Sequence, residues 1–163
     1  MNNLNAEYNS VALLGGIRLF FCENKIIYLS IYKEEEKGSA VGFVKLTREG
    51  RRKCLKLSIS GMRAWPDGNY PLYLITLTKE LAWGSVLLKQ GVAEEVRYLA
   101  ETGAAVLQNH MQVEREDMCG LYIELQDDYK IGAYQKVSGR KHYSFEKGKK
   151  VHPFEDGGVY IML

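Results

Sequence analysis

Val41-Gly42-Phe43-Val44-Lys45-Leu46-Thr47 and, shortly after it, Lys53-Cys54-Leu55-Lys56-Leu57-Ser58-Ile59-Ser60 alternate apolar and polar side chains at a period of two. That is the signature of strands with one face buried, because successive side chains of a strand point to opposite faces. The second run puts Leu55, Leu57 and Ile59 on one face and Cys54, Lys56 and Ser58 on the other. The pattern continues through Tyr70 to Thr78, with Leu72 and Leu74 on one side and Tyr73, Ile75 and Leu77 on the other. Leu81 to Lys89 carries Trp83, Val86, Leu87 and Leu88, and Val92 to Leu99 is a weaker run, interrupted by Glu94, Glu95 and Arg97.

Turn chemistry separates these runs. Arg48-Glu49-Gly50-Arg51 and Gln90-Gly91 each supply a glycine where positive φ is wanted, and Trp65-Pro66-Asp67-Gly68-Asn69 makes a longer loop. Short connections favour antiparallel neighbours, since a parallel crossover needs roughly a dozen residues or more. The stretch from Val41 to Leu99 therefore reads as a β-meander.

Upstream, Ile17 to Cys22 and Lys25 to Tyr32 read as a hairpin around Glu23-Asn24, and Lys33 to Gly38 as a solvated, charged loop. Between Ala100 and Asp117 the alternation breaks, which points to an irregular connection with one or two helical turns. Strand character returns at Gly120 to Leu125 and Tyr129 to Val137, with Asp127-Asp128 as the turn. The expected organisation is a flexible N-terminal segment over residues 1–15, an all-β domain over 16–137 and a basic C-terminal segment over 138–163. The apolar run Val159 to Leu163 reads either as a final edge strand or as the place where a longer chain was cut.

Composition sets outer limits. The chain has 163 residues, 46% hydrophobic and 26% charged, which suits one globular domain with its own core. Its net charge of +2 is too small to imply a polyanionic partner by itself. The cysteines (Cys22, Cys54 and Cys119) form no C-x-x-C pair, and Cys54 and Cys119 fall inside strand-like runs as small apolar residues. With no basic leader and no apolar run of membrane length, a cytoplasmic location is expected.

Chemistry-bearing constellations are sparse. His110, His142 and His152 are the histidines, and none lies in a nucleophile or zinc motif. The acid clusters Glu114, Glu116, Asp117 and Glu124, Asp127, Asp128 sit at strand ends, where solvated loop roles are usual. Gly15-Gly16 and Gly157-Gly158 lack the partners a nucleotide fingerprint requires. No metal or cofactor is expected. Two binding alternatives stand beside this. Trp65, Tyr70 and Trp83 can present aromatic faces to a carbohydrate or small ligand, or else pack the core, as tryptophan in all-β folds commonly does. Arg140, Lys141, Tyr143, Lys149 and Lys150 interleave cations and rings as a single-stranded nucleic-acid surface does, or else form a solvated tail.

Val41-Gly42-Phe43-Val44-Lys45-Leu46, then Cys54-Leu55-Lys56-Leu57-Ser58-Ile59-Ser60-Gly61-Met62, then Tyr70-Pro71-Leu72-Tyr73-Leu74 resemble the N-terminal β module of uncharacterised proteins from gut clostridia, a domain of unknown function. Leu87-Leu88-Lys89-Gln90-Gly91 and Gly120-Leu121-Tyr122-Ile123 are similar to further pieces of that pattern, so the resemblance spans residues 25–137. It implies an all-β module and carries no catalytic residues; Ser138 to Leu163 does not match those proteins' second domain. The fold expected is an antiparallel β-sandwich or open β-barrel of about eight to ten strands. The function expected is a non-enzymatic binding or protein-interaction module, with an unidentified protein partner or self-association.

Overall fold

Inward-pointing leucine, isoleucine and valine at every second position hold the strands to one curved sheet. The computed structural model describes residues 13–14 and 17–135. Its strands in chain order are β1 (Leu13–Leu14), β2 (Ile17–Arg18), β3 (Ile26–Lys33), β4 (Glu36–Glu49), β5 (Arg52–Ile59), β6 (Gly68–Thr76), β7 (Glu80–Leu88), β8 (Ala93–Tyr98), β9 (Ala105–Val106), β10 (Gln112–Val113), β11 (Met118–Glu124) and β12 (Tyr129–Tyr134). One 3-10 turn, Arg115–Asp117, is the helical piece among the described residues.

The main sheet has eight antiparallel strands in the order β7-β6-β11-β12-β3-β4-β5-β8, with β1-β2 and β9-β10 as small two-stranded sheets. Its two outermost strands, β7 and β8, are consecutive in the chain. They meet at Gln90-Gly91, where both residues have positive φ (52° and 80°), the type I′ geometry that matches strand twist. Lys89 and Val92 exchange backbone hydrogen bonds there at 2.9 and 3.1 Å. The sheet thus curls nearly into a closed barrel. Beyond the turn the two strands part: Gly84 (φ 79°) bulges β7, and β8 pairs with β5 along Ala93–Tyr98. Arg97 spans the seam, its Nη2 donating to the Ser85 carbonyl at 2.6 Å.

The barrel interior is filled by side chains, as expected for this strand number. Leu29, Leu46, Leu55, Ile59, Leu72, Leu74, Leu121, Ile123 and Ile131 are fully buried there. Phe20 and Phe21, packed edge to face at 4.6 Å, join the same core. Trp65 rests against it too, edge-on to Tyr129 at 5.0 Å. A second cluster (Tyr32, Ile75, Cys119, Tyr122 and Tyr134) lies on the opposite face of β3, β12, β11 and β6. Both faces of β11 are therefore buried, with only Glu124 exposed.

The strands expected from residues 41 to 99 all form, but their pairing corrects the meander. β3-β4-β5 and β6-β7 are meander units; β5 and β6 are not neighbours, and the Trp65–Gly68 loop carries the chain past the barrel end to the other side of the sheet. The hairpin expected from residues 17–22 and 25–32 does not form. β3 takes β4 and β12 as neighbours, and the preceding segment docks instead through Glu23 and Asn24, whose N–H donates to the Leu46 carbonyl at 2.9 Å. The charged run at 33–38 is a tight turn at Glu34-Glu35, with Lys33 already opposite Glu36. The connection at 100–117 is irregular as expected, but the short β9–β10 ladder stands in place of the expected helical turns, with one 3-10 turn at Arg115–Asp117; the Asp127-Asp128 turn has both φ values positive (55° and 66°).

Candidate functional site

Besides the β7–β8 seam, the sheet parts between β12 and β3. β12 pairs with β3 from Tyr129↔Lys33 to Gly132↔Ser30 and then leaves it, following β11 to Gly120↔Tyr134. The other neighbour of β3 explains the parting. The β3–β4 register shifts twice around Ser30, between Leu29 and Ser30 and between Ser30 and Tyr32, each time with one extra residue on β4. Bulges bend a strand pair and raise its twist. β3 therefore swings with β4 at the same height where its bonds to β12 stop.

The resulting cleft has a volume of about 450 Å³, within the range of small-ligand sites. Phe20, Ile27 and Ala133 line it from the barrel core, Tyr32 and Tyr134 line it from the second cluster, where they are buried, and Tyr28 lines it from the surface. Lys25, Lys37 and Gln135 stand at the rim. Tyr32 and Tyr134 are stacked at 6.0 Å with their planes 17° apart. Burial pushes the Tyr32 hydroxyl up to about 12, so it stays a neutral hydrogen-bonding group across ordinary pH. Tyr28 is 66% exposed. Among the described residues that line the cleft, none is acidic. Such a lining can hold a flat ring against the exposed Tyr28 face and an anion against lysine ammonium groups.

A smaller cavity of about 240 Å³ sits at the β7–β8 seam, lined by Trp83, Arg97, Tyr98 and Gln108 among others. Arg97 is committed there: it donates to Ser85, lies 3.7 Å from Glu95 and faces the Trp83 ring at 5.9 Å. On the second cluster's face, Tyr122 donates to Glu80 Oε2 at 2.7 Å and stacks on Tyr73 at 5.0 Å. Burial first, then the Glu80 hydrogen bond, raises the Tyr122 hydroxyl well above the usual tyrosine range.

The aromatic residues expected at a ligand site lie mostly inside. Tyr70 is 7% exposed, belongs to the core, and donates its hydroxyl to the Pro66 carbonyl at 2.6 Å. Trp83 is 5% exposed and faces the barrel interior beside the seam. Trp65 is half-buried against the core, and neither cavity is lined by Trp65 or Tyr70. Tyr70 and Trp83 thus both lie in the core, and Trp83 also lines the seam cavity. Arg140, Lys141, Tyr143, Lys149 and Lys150 lie outside the described residues.

His110 occupies an exposed turn with φ 67°. Glu114, Asp117, Glu124 and Asp127 are exposed. Among the described residues no group of three or more histidines, cysteines and acids is placed to hold a metal ion, and no helix is long and apolar enough to cross a membrane. Cys54 and Cys119 are buried free thiols, and burial pushes the Cys119 thiol up to about 12.

Sequence reasoning passed over Tyr28, Lys25 and Lys37. The signal was present: with Ile27, Leu29 and Ile31 turned inward, Tyr28 and Tyr32 must both face outward. It was masked because Ile26 to Tyr32 reads as one nearly continuous apolar run. No family model, curated protein or solved structure matches the chain.

Proposed function

We propose that the protein is a non-enzymatic, cytoplasmic binding module whose cleft between β3 and β12 takes a planar aromatic anion of the mononucleotide class. The carrying observation is the lining: the exposed Tyr28 ring and two lysines around about 450 Å³, with no acidic side chain among the described lining residues. Stacking on tyrosine contributes roughly 1–3 kcal/mol per ring, and lysine fixes the negative end as a compact charge. Together these support a dissociation constant of about 0.1–1 mM for a single nucleotide. The resemblance to the β module of clostridial proteins of unknown function belongs to the same proposal, as a scaffold without a reactive centre.

Calorimetric titration of the full chain with uridine monophosphate, uridine and inorganic phosphate tests the reading. Uridine monophosphate binds, and uridine and phosphate each bind at least about tenfold more weakly, because each keeps only one of the two contacts. Tyr28→Ala lowers the nucleotide affinity without unfolding the barrel, since Tyr28 is exposed. No heat of binding up to about 10 mM, or phosphate binding as tightly as the nucleotide, overturns it.

A further inference from the structure

We infer that the cleft is one end of a longer track for single-stranded nucleic acid, which leaves the cleft at Tyr28 and crosses the outer face of β4 and β5. The inference rests on the proposed nucleotide site and goes further by assigning a polymer to it. Strand register lays out the track. Tyr28 of β3 stands opposite Phe43 of β4, and Phe43 opposite Ser58 of β5; both rings are exposed on the outer face. One row along, Lys45 stands opposite Ile26 on one side and Lys56 on the other.

Two features of this face point to a polyanion with stackable bases. First, Lys45 and Lys56 are like charges directly across adjacent strands, an arrangement that repels. A phosphate between them relieves the repulsion. Lys56 also meets Glu49 at 3.4 Å, but both side chains are about half exposed, so that pair is weak and readily exchanged for a phosphate. Second, Tyr28 and Phe43 are neighbouring exposed rings about 5 Å apart across the ladder, and Tyr28 also lines the cleft. Rings alternating with cations suit single strands, because every base has a face to stack. A protein-binding patch is commonly depleted of lysine. The acids Glu34, Glu35 and Glu36 at the β3–β4 turn, and Glu94 opposite Ser58, bound the track at its tip and at β8.

Fluorescence anisotropy with a labelled ten-nucleotide oligothymidylate, at 50 and 200 mM salt, tests the inference on the full chain. Uridine monophosphate and a ten-residue polyglutamate serve as competitors. The oligonucleotide binds at least about tenfold more tightly than the mononucleotide, from the added stacking on Phe43. Its affinity falls about 50-fold between the two salt concentrations, the drop expected when Lys25, Lys37, Lys45 and Lys56 each neutralise one phosphate. In Lys45→Gln/Lys56→Gln the drop shrinks to about sevenfold. Phe43→Leu keeps an apolar side chain on the strand; it lowers oligonucleotide affinity about fivefold and leaves uridine monophosphate binding unchanged. Oligonucleotide binding no tighter than that of the mononucleotide removes the track and leaves the cleft site standing. Polyglutamate binding as tightly as the oligonucleotide makes the partner an acidic peptide and overturns the inference. Absence of uridine monophosphate binding removes the cleft reading itself.

Discussion

Tyrosine chemistry at the cleft and on the adjoining face is set by burial. Tyr32 has its hydroxyl raised from 10.0 to about 12 by desolvation. Tyr122 is raised by burial and by Glu80, and Tyr73 by burial with Glu124 and Glu80 adding to it. The consequence for stability follows from linkage. A folded-state value above the unfolded one means that the folded protein holds its proton longer. The stabilisation is complete below pH 10 and is lost as pH rises from 10 towards 12, because the unfolded chain ionises first. We expect the urea midpoint to fall between pH 9 and pH 11.5, and to fall less steeply in Tyr32→Phe, which has no proton to lose. Equal slopes for the two proteins, measured by circular dichroism, contradict the assignment. Lys53 shows the opposite effect at the β4–β5 hairpin: burial lowers its ammonium value, and neighbouring Arg115 and Arg48 add to this while Glu23 opposes it.

At the scale of elements, β4 gives the site its shape. Its two bulges turn β3 away from β12, and its tight approach to β5 depends on Gly42, which pairs with both Leu29 and Ile59. A Cβ at that position would lie 2.1 Å from the Ser58 carbonyl oxygen and 3.0 Å from the Ile59 Cα, both backbone atoms that cannot move aside cheaply. Gly42→Ala is therefore expected to lower stability by about 1–3 kcal/mol, read as a lower urea midpoint. A midpoint unchanged within error means that the β4–β5 spacing is not as described. The strands themselves were legible because Leu55, Leu57 and Ile59, or Leu72 and Leu74, keep strict alternation. Their neighbours were not, since period-two patterning says which face is buried and nothing about which strand lies alongside. β5 and β6 are consecutive and each half apolar, yet β5 pairs with β8 and β6 with β11. The bulges at Val41 and Gly84 leave no mark in the pattern beyond a displaced glycine.

For the whole molecule, the packed interior leaves the parted ladder and the outer face as the surfaces on which the proposed ligand contacts rest. Tyr70 and Trp83, the most suggestive aromatics in the sequence, are spent on that interior. A whole-chain charge of +2 speaks little for an anionic ligand, whereas the local arrangement concentrates Lys25 and Lys37 at the cleft and Lys45 and Lys56 beside it. Strand pairing brings those lysines together with Tyr28 and Phe43, and pairing is where the expected meander and upstream hairpin needed correction. The central claim is that the opening between β3 and β12 is a ligand site, and a two-dimensional amide NMR titration of the full chain with uridine monophosphate tests it most directly. The account predicts saturable shifts confined to Lys25 to Ser30, Lys37 and Gly132 to Gln135. Saturable shifts centred instead on the Arg97 seam, or no shifts at about 10 mM nucleotide, would contradict it.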